Sequence, residues 1–186
     1  LLIPAILCLL GSCCLRGTET RGYKTILMVT NRGPWGSWGY PQFCPSSYAE
    51  GFELKVEPYQ GFWLFGDDTA LNGIRLHCSD GTVIESSVGQ RGKWTKPQFC
   101  HRNKLVSFLL RVKKRQFLFD DTAANNVRVT YSDGTQLEGC GLSGCHFSQW
   151  SPRCSSGGIC GLQTKMYETH GREDDTAFND MKLFCC

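Results

Sequence analysis

The sequence predicts an all-β protein, three sheets around one core, written as three copies of one unit. Three observations carry that prediction. Asp-Asp-Thr-Ala recurs at Asp67, Asp120 and Asp174, a period of about 53 residues, and each copy has an asparagine two places after its alanine: Asn72, Asn125 and Asn179. Each copy leads into a run in which apolar residues flank a basic one: Ile74-Arg75-Leu76, Val127-Arg128-Val129 and Met181-Lys182-Leu183. Such alternation is the pattern of a half-buried strand. A Ser-Asp-Gly-Thr turn follows twice, at Ser79 to Thr82 and Ser132 to Thr135, and Asp-Gly between alternating runs is a hairpin signal. No long helical period occurs.

Taken in order, Leu1 to Leu10 are nearly all apolar and are followed by small residues and Arg16. No methionine or basic segment precedes them, so the run reads as the core of a signal peptide whose start lies upstream, too short to span a bilayer. Residues 1–20 are assigned to it, with cleavage between Cys14 and Gly22. Residues 21–186 then form one domain of about 165 residues, large enough for a core of its own. The repeats run at approximately 31–85, 86–138 and 139–186. In the first, Phe52, Leu54 and Val56 face one way and Glu53, Lys55 and Glu57 the other. In the second, Phe108, Leu110 and Val112 oppose Ser107, Arg111 and Lys113. In the third, Leu162 and Met166 share a face that Thr164 interrupts. Short strands at Val83-Ile84 and Gln136-Leu137 follow the two turns. The third repeat ends before its last strand. Gly22 precedes Trp35 by the spacing with which Gly81 precedes Trp94, so 25–29 reads as that missing strand, and the ring closes where the termini meet.

Net charge is +3 with basic residues scattered, which argues against nucleic acid as a partner. There is no second long apolar run and no N-glycosylation sequon, so the expectation is a secreted, extracellular protein with no membrane span. Cleavage leaves nine of the twelve cysteines, which read as disulfides in a secreted chain. Cys78 and Cys185 each lie six residues after their repeat's asparagine, and Cys44, Cys100 and Cys154 occupy matching places near each repeat's start. Cys44–Cys78 and Cys154–Cys185 should therefore pair, with Cys160–Cys186 beside them. Tyr131 stands where the second repeat should have its cysteine, so Cys100 must pair with Cys140 or Cys145, or stay free.

The paired aspartates are the first chemical candidates, since two close carboxylates can divide acid and base roles. The stronger reading is structural: Asp67, Asp68, Thr69, Asp120, Asp121, Thr122, Asp174, Asp175 and Thr176 would hold tight turns by bonding nearby backbone, because a catalytic site needs one asymmetric arrangement and not three equivalents. The same residues and their asparagines are candidate glycan contacts. They lack the ligand spread of a calcium loop, and His77, His101, His146 and His170 lack metal-site spacing, so no metal or cofactor is expected. Trp35, Trp38, Trp94 and Trp150 could stack on sugars, although core packing is the stronger expectation for them. Trp63, beside Phe62, Leu64 and Phe65, belongs to an apolar insertion that would mark a partner surface if exposed. Arg75, Arg128 and Lys182 read as a solvated face.

Several stretches resemble the vitelline membrane outer layer protein 1 family: Gly33-Pro34-Trp35-Gly36-Ser37-Trp38, Phe43-Cys44-Pro45, Gly51 to Glu57, Gly66 to Cys78, Thr122 to Arg128, Cys160 to Lys165 and the terminal Leu183-Phe184-Cys185-Cys186. The likeness covers essentially all of 21–186. It implies a β-prism, three Greek-key sheets about a pseudo-threefold axis closed by N-terminal strand exchange. It also implies a secreted protein of the egg's outer vitelline layer or its counterpart in other secretions, linked to N-acetylglucosamine oligosaccharides. The chain departs from the family at Phe119 and Glu173, where a glycine precedes the aspartates, at Tyr131, at the extra Cys140 and Cys145, and at Gly144-Cys145. The expected function is that of a non-catalytic coat protein contacting extracellular glycoproteins or glycans. The alternative is a lectin or a weak transferase acting on N-acetylglucosamine oligosaccharides. The sequence does not fix the oligomeric state.

Overall fold

The computed structural model describes residues 21–57, 71–112, 124–141, 147–168 and 176–186. Asp67 to Ala70, Asp120 to Ala123, Asp174, Asp175, Trp63, Cys145 and the apolar N-terminal run lie outside them. Thirteen strands are described and no helix: β1 (Thr25–Leu27), β2 (Ser37–Trp38), β3 (Gln42–Phe43), β4 (Ala49–Val56), β5 (Leu71–Cys78), β6 (Val83–Glu85), β7 (Lys93–Trp94), β8 (Gln98–Phe99), β9 (Leu105–Val112), β10 (Ala124–Tyr131), β11 (Gln136–Glu138), β12 (Ile159–Glu168) and β13 (Thr176–Cys185).

They form three antiparallel sheets. The second is ordered β6-β5-β4-β7 with β8 also on β4, and the third β11-β10-β9. The first is ordered β1-β13-β12-β2 with β3 also on β12. Three consecutive strands and a fourth returning beside the first make a Greek key. The second sheet has this order outright. In the third, the bridge between Arg111 and Phe147 supplies the fourth position. In the first, the third strand is β1, whose Thr25, Ile26 and Leu27 face Cys185, Phe184 and Leu183. Closing the ring this way covers a β13 edge that would otherwise present unpaired backbone groups.

Alternation decides what is inside. Phe52, Leu54, Ile74, Leu76, Phe108, Leu110, Val127, Leu162, Phe178, Met181, Leu183 and Leu27 pack in one cluster fed by all three sheets. Thr164, the apparent break in the third repeat, is fully buried and satisfied: its hydroxyl donates to Ser87 O at 2.5 Å. At the two Asp-Gly turns, Gly81 and Gly134 have φ of 84° and 91°, the left-handed conformation glycine adopts without strain. Asp80 and Asp133 accept from the Thr82 and Thr135 amides at 2.9 Å, and those bonds hold both carboxyls below their usual range.

The register corrects one alignment. Trp38 faces Lys165 as Trp94 faces Lys55, so Trp38 and not Trp35 is the counterpart of Trp94. The matching Gly22 and Gly81 spacing was fortuitous, because the connection ahead of β2 differs in length from that ahead of β7.

Disulfides sit at the corners. Cys44–Cys78 ties the segment after β3 in the first sheet to the end of β5 in the second, and Cys154–Cys185 ties the third sheet's edge segment to the end of β13 in the first. Cys160–Cys186 lies within the first sheet. Closing loops of this length restricts the unfolded chain by roughly 3–4 kcal/mol per bond. At the remaining corner Cys145 lies outside the described residues, and Cys100 and Cys140 are both free thiols and are not bonded to each other. The reason is spatial. Tyr131, fully buried, fills the place of the missing bridge, and burial pushes its phenol well up. Cys100 turns instead towards Asn103, whose side-chain amide donates to its sulfur at 3.5 Å. The Cys140 sulfur accepts from the Gln98 side-chain amide at 3.7 Å, and the adjacent Gly141 amide donates to Asn126 at 3.3 Å.

Candidate functional site

On the outward face of each sheet, an aromatic ring from the edge covers one or both of the basic side chains of the long strands. Arg75 lies 3.8 Å from the centre of Trp94. Arg111 and Arg128 lie 4.1 and 4.6 Å from Phe147. Lys182 and Lys165 lie 4.0 and 6.0 Å from Trp38. These are cation–π distances, so Arg75, Arg128 and Lys182 are not a freely solvated row. The third ring is Phe147, bridged to Arg111 where the other sheets have Trp38 and Trp94; Trp150 lies apart from this arrangement. None of the four tryptophans is in the core. Trp35 and Trp150 are 49% and 38% exposed, and Trp38 and Trp94 are half-buried. Core packing is therefore corrected: the edge strands pair beside the long strands, and their rings reach across the outer face.

Charge separates the three faces. Arg75 pairs with Glu85 at 2.5 Å and with Glu53 at 3.6 Å. Glu138 pairs with Arg128 at 2.6 Å and with Arg111 at 3.1 Å. The first sheet has instead a hollow of about 550 Å³ lined by Met28, Arg32, Gly33, Trp38, Lys165, Asp180 and Lys182 among others. The Asp180 side chain is buried at its floor. Its Oδ1 accepts from the Met181 amide at 2.8 Å. Burial pushes its pKa up to about 6, against the pull of that amide and of Arg32, Lys165 and Lys182. A buried carboxyl with a raised pKa in a hollow is a mark of a functional site. A second hollow of about 510 Å³ adjoins it through Lys182 and is walled by Tyr23, Phe43 and Phe184, whose rings pack together at 4.9–6.2 Å.

Asn72, Asn125 and Asn179 are buried at 1%, 4% and 2% exposure. The carbonyls of Asn72 and Asn179 accept from the Gly89 and Gly33 amides at 2.6 and 2.9 Å, so these positions tie the next segment down. The structure brings Trp38 into the hollow and leaves Trp35 and Trp150 on separate surfaces. Asp180, Lys165 and the paired hollows escaped the sequence reading. The signal was present: Asp180 occupies the place of Gly73 and Asn126 in the other repeats, a carboxylate where neither has one.

Three sheets of this kind define a β-prism protein, and solved structures agree. Calystegia sepium agglutinin superposes with a TM-score of 0.55 at 11% identity, covering 89% of this chain and 97% of that one. A prostate-specific WGA16 glycoprotein lectin gives 0.53 at 14%, covering 86% and 96%. At such identities the likeness is one of fold. The chain belongs to the vitelline membrane outer layer protein I family, whose model matches residues 25–186. It is 49% identical to a human vitelline membrane outer layer protein 1 homolog over 195 aligned residues, covering 100% of this chain and 95% of that protein. A mouse homolog is 49% identical over 172 residues, covering 88% and 84%. Among the described residues no helix is long and apolar enough to cross a membrane.

Proposed function

We propose that this is a secreted, non-catalytic protein of an extracellular coat, a closed and disulfide-braced ring that contacts glycans or glycoproteins through the outer face of its first sheet. The observation that carries the reading is the pair of adjoining hollows there. Trp38, Tyr23 and Phe43 offer ring surface, and Asp180, Gln163 and the basic side chains offer hydrogen-bonding groups. A few polar groups converging in an aromatic-lined hollow are what small-ligand recognition requires. Membership of a family named for the outer vitelline layer supports the extracellular setting. The Asp-Asp-Thr turns are proposed to be structural in all three repeats, and residues 1–20 to be a cleaved signal peptide.

The test is a glycan array run beside a turnover assay on chito-oligosaccharides. Binding without turnover is expected. Multiple turnover abolished by one substitution that leaves the melting temperature unchanged would establish the alternative, a carbohydrate-active enzyme.

A further inference from the structure

The three outer faces, compared position by position, differ in the residue opposite the central basic side chain. In the second sheet Glu85 stands opposite Arg75, next to the pair Ile84 and Leu76. In the third, Glu138 stands opposite Arg128, next to Leu137 and Val129. In the first, Leu27 faces Leu183. The next residue in that register is Met28, opposite Lys182. A thioether therefore occupies the place of both glutamates, and it cannot neutralise a cation. Lys182 has no ion pair among the described residues. Arg32, exposed, directs Nη1 to the Met28 sulfur at 3.6 Å. Lys165 donates to Pro34 O at 2.7 Å. Three cations thus surround one carboxylate, the buried Asp180, whereas Arg75, Arg111 and Arg128 are each met by glutamate.

We infer that the hollow beside Trp38 is a site for the acidic group of a saccharide, a sulfate ester or a carboxylate, received by Lys182 and Arg32 with Lys165 alongside. This rests on the glycan-contact reading above and names its chemistry. Ammonium and guanidinium groups bond anionic oxygens more strongly than neutral hydroxyls. A volume of about 550 Å³ admits a small saccharide unit, and the indole of Trp38 gives it an apolar wall. The excess charge is confined to one hollow, unlike the extended stripe that tracks a nucleic-acid backbone.

The test is calorimetric titration of the secreted protein with a sulfated chito-oligosaccharide and with the unsulfated chain of the same length. A sialylated glycan and its desialylated counterpart separate carboxylate from sulfate, and phosphatidylserine vesicles serve as a non-saccharide anion. One acidic glycan is expected to bind at least about tenfold more tightly than its neutral partner, the weight of one charge-assisted contact, with the advantage shrinking as salt rises. Met28→Glu, which gives the first sheet the arrangement of the other two, removes that advantage. Lys182→Gln reduces it about tenfold and adds no charge to the fold, so it decides the matter if the first variant does not fold. Acidic and neutral glycans binding alike, or an undiminished advantage in either folded variant, overturns the inference and leaves glycan contact standing. No glycan binding at all, or binding to the vesicles alone, overturns both.

Discussion

Replacing Asp180 with asparagine should stabilise the protein near neutral pH and do nothing at low pH. Burial raises the Asp180 pKa from 3.8 to about 6. A carboxyl raised in the folded state favours folding fully below the unfolded value, and that contribution is lost as pH climbs through the folded value. The window is therefore about pH 4 to 6, with the full cost present above it. Each pH unit between the two values is worth about 1.4 kcal/mol, so the span approaches 3 kcal/mol, and water reaching the hollow trims it to about 2–3. Asparagine keeps the local bond: Asn126, at the matching place in the third sheet, accepts from the Val127 amide at 2.8 Å, as Asp180 accepts from Met181 at 2.8 Å. The assay is thermal unfolding of both proteins from pH 3.5 to 8. For a domain of this size, the variant should melt roughly 4–10 °C higher at pH 7.5, with the difference vanishing near pH 3.5. A variant that melts lower at neutral pH, or that differs by the same amount at every pH, would refute the reasoning, because the ionised Asp180 would then be stabilising, or its titration would not be linked to folding.

Three further outcomes follow from the ring. Deleting residues through Val29 uncovers the β13 edge and removes Leu27 and Val29 from the core, so the truncated protein should aggregate or unfold; an unchanged melting temperature in a monomer would refute closure by β1. Tyr131→Cys should form a disulfide with Cys100 at the unbridged corner, seen as a linked peptide in non-reducing mass spectrometry, and two free thiols there would show that the corner differs in geometry from the other two. Replacing Asp67, Asp120 or Asp174 with alanine should each lower stability by about 1–3 kcal/mol in denaturant unfolding, the cost of unsatisfied turn amides; a variant of normal stability that has lost all glycan activity would contradict their structural role.

Much of the fold was legible because it rests on local chemistry. Alternation fixes which face of β4, β9 and β12 is buried, and Asp-Gly fixes the hairpins at Gly81 and Gly134. The missing cysteine at Tyr131 was legible as a gap in a repeat. Its consequence was not, since only the structure shows Tyr131 buried in that place and the Cys140 sulfur facing the Gln98 amide. Tryptophan spacing misled for a related reason: connections vary in length, so Trp35 aligned by count while Trp38 aligns by pairing. Thr164 looked like a break in an apolar face, because a sequence does not display the Ser87 carbonyl waiting for its hydroxyl. The site was the least legible part. Met28, Glu85 and Glu138 become comparable only once strands far apart in the chain are known to be equivalent, and Asp180 looks solvent-facing until Gly33 and Trp38 are placed over it.

The central claim is that glycans are bound, without turnover, on the first sheet alone. Backbone and indole amide shifts of the labelled protein, followed by nuclear magnetic resonance during titration with an acidic chito-oligosaccharide, test it most directly. The account predicts shifts at Gly33, Trp38, Lys165 and Lys182, unchanged signals at the matching Trp94, Lys55 and Arg75, and a ligand that stays intact throughout. Shifts centred on the second or third sheet, or a ligand spectrum that changes with time, would contradict it.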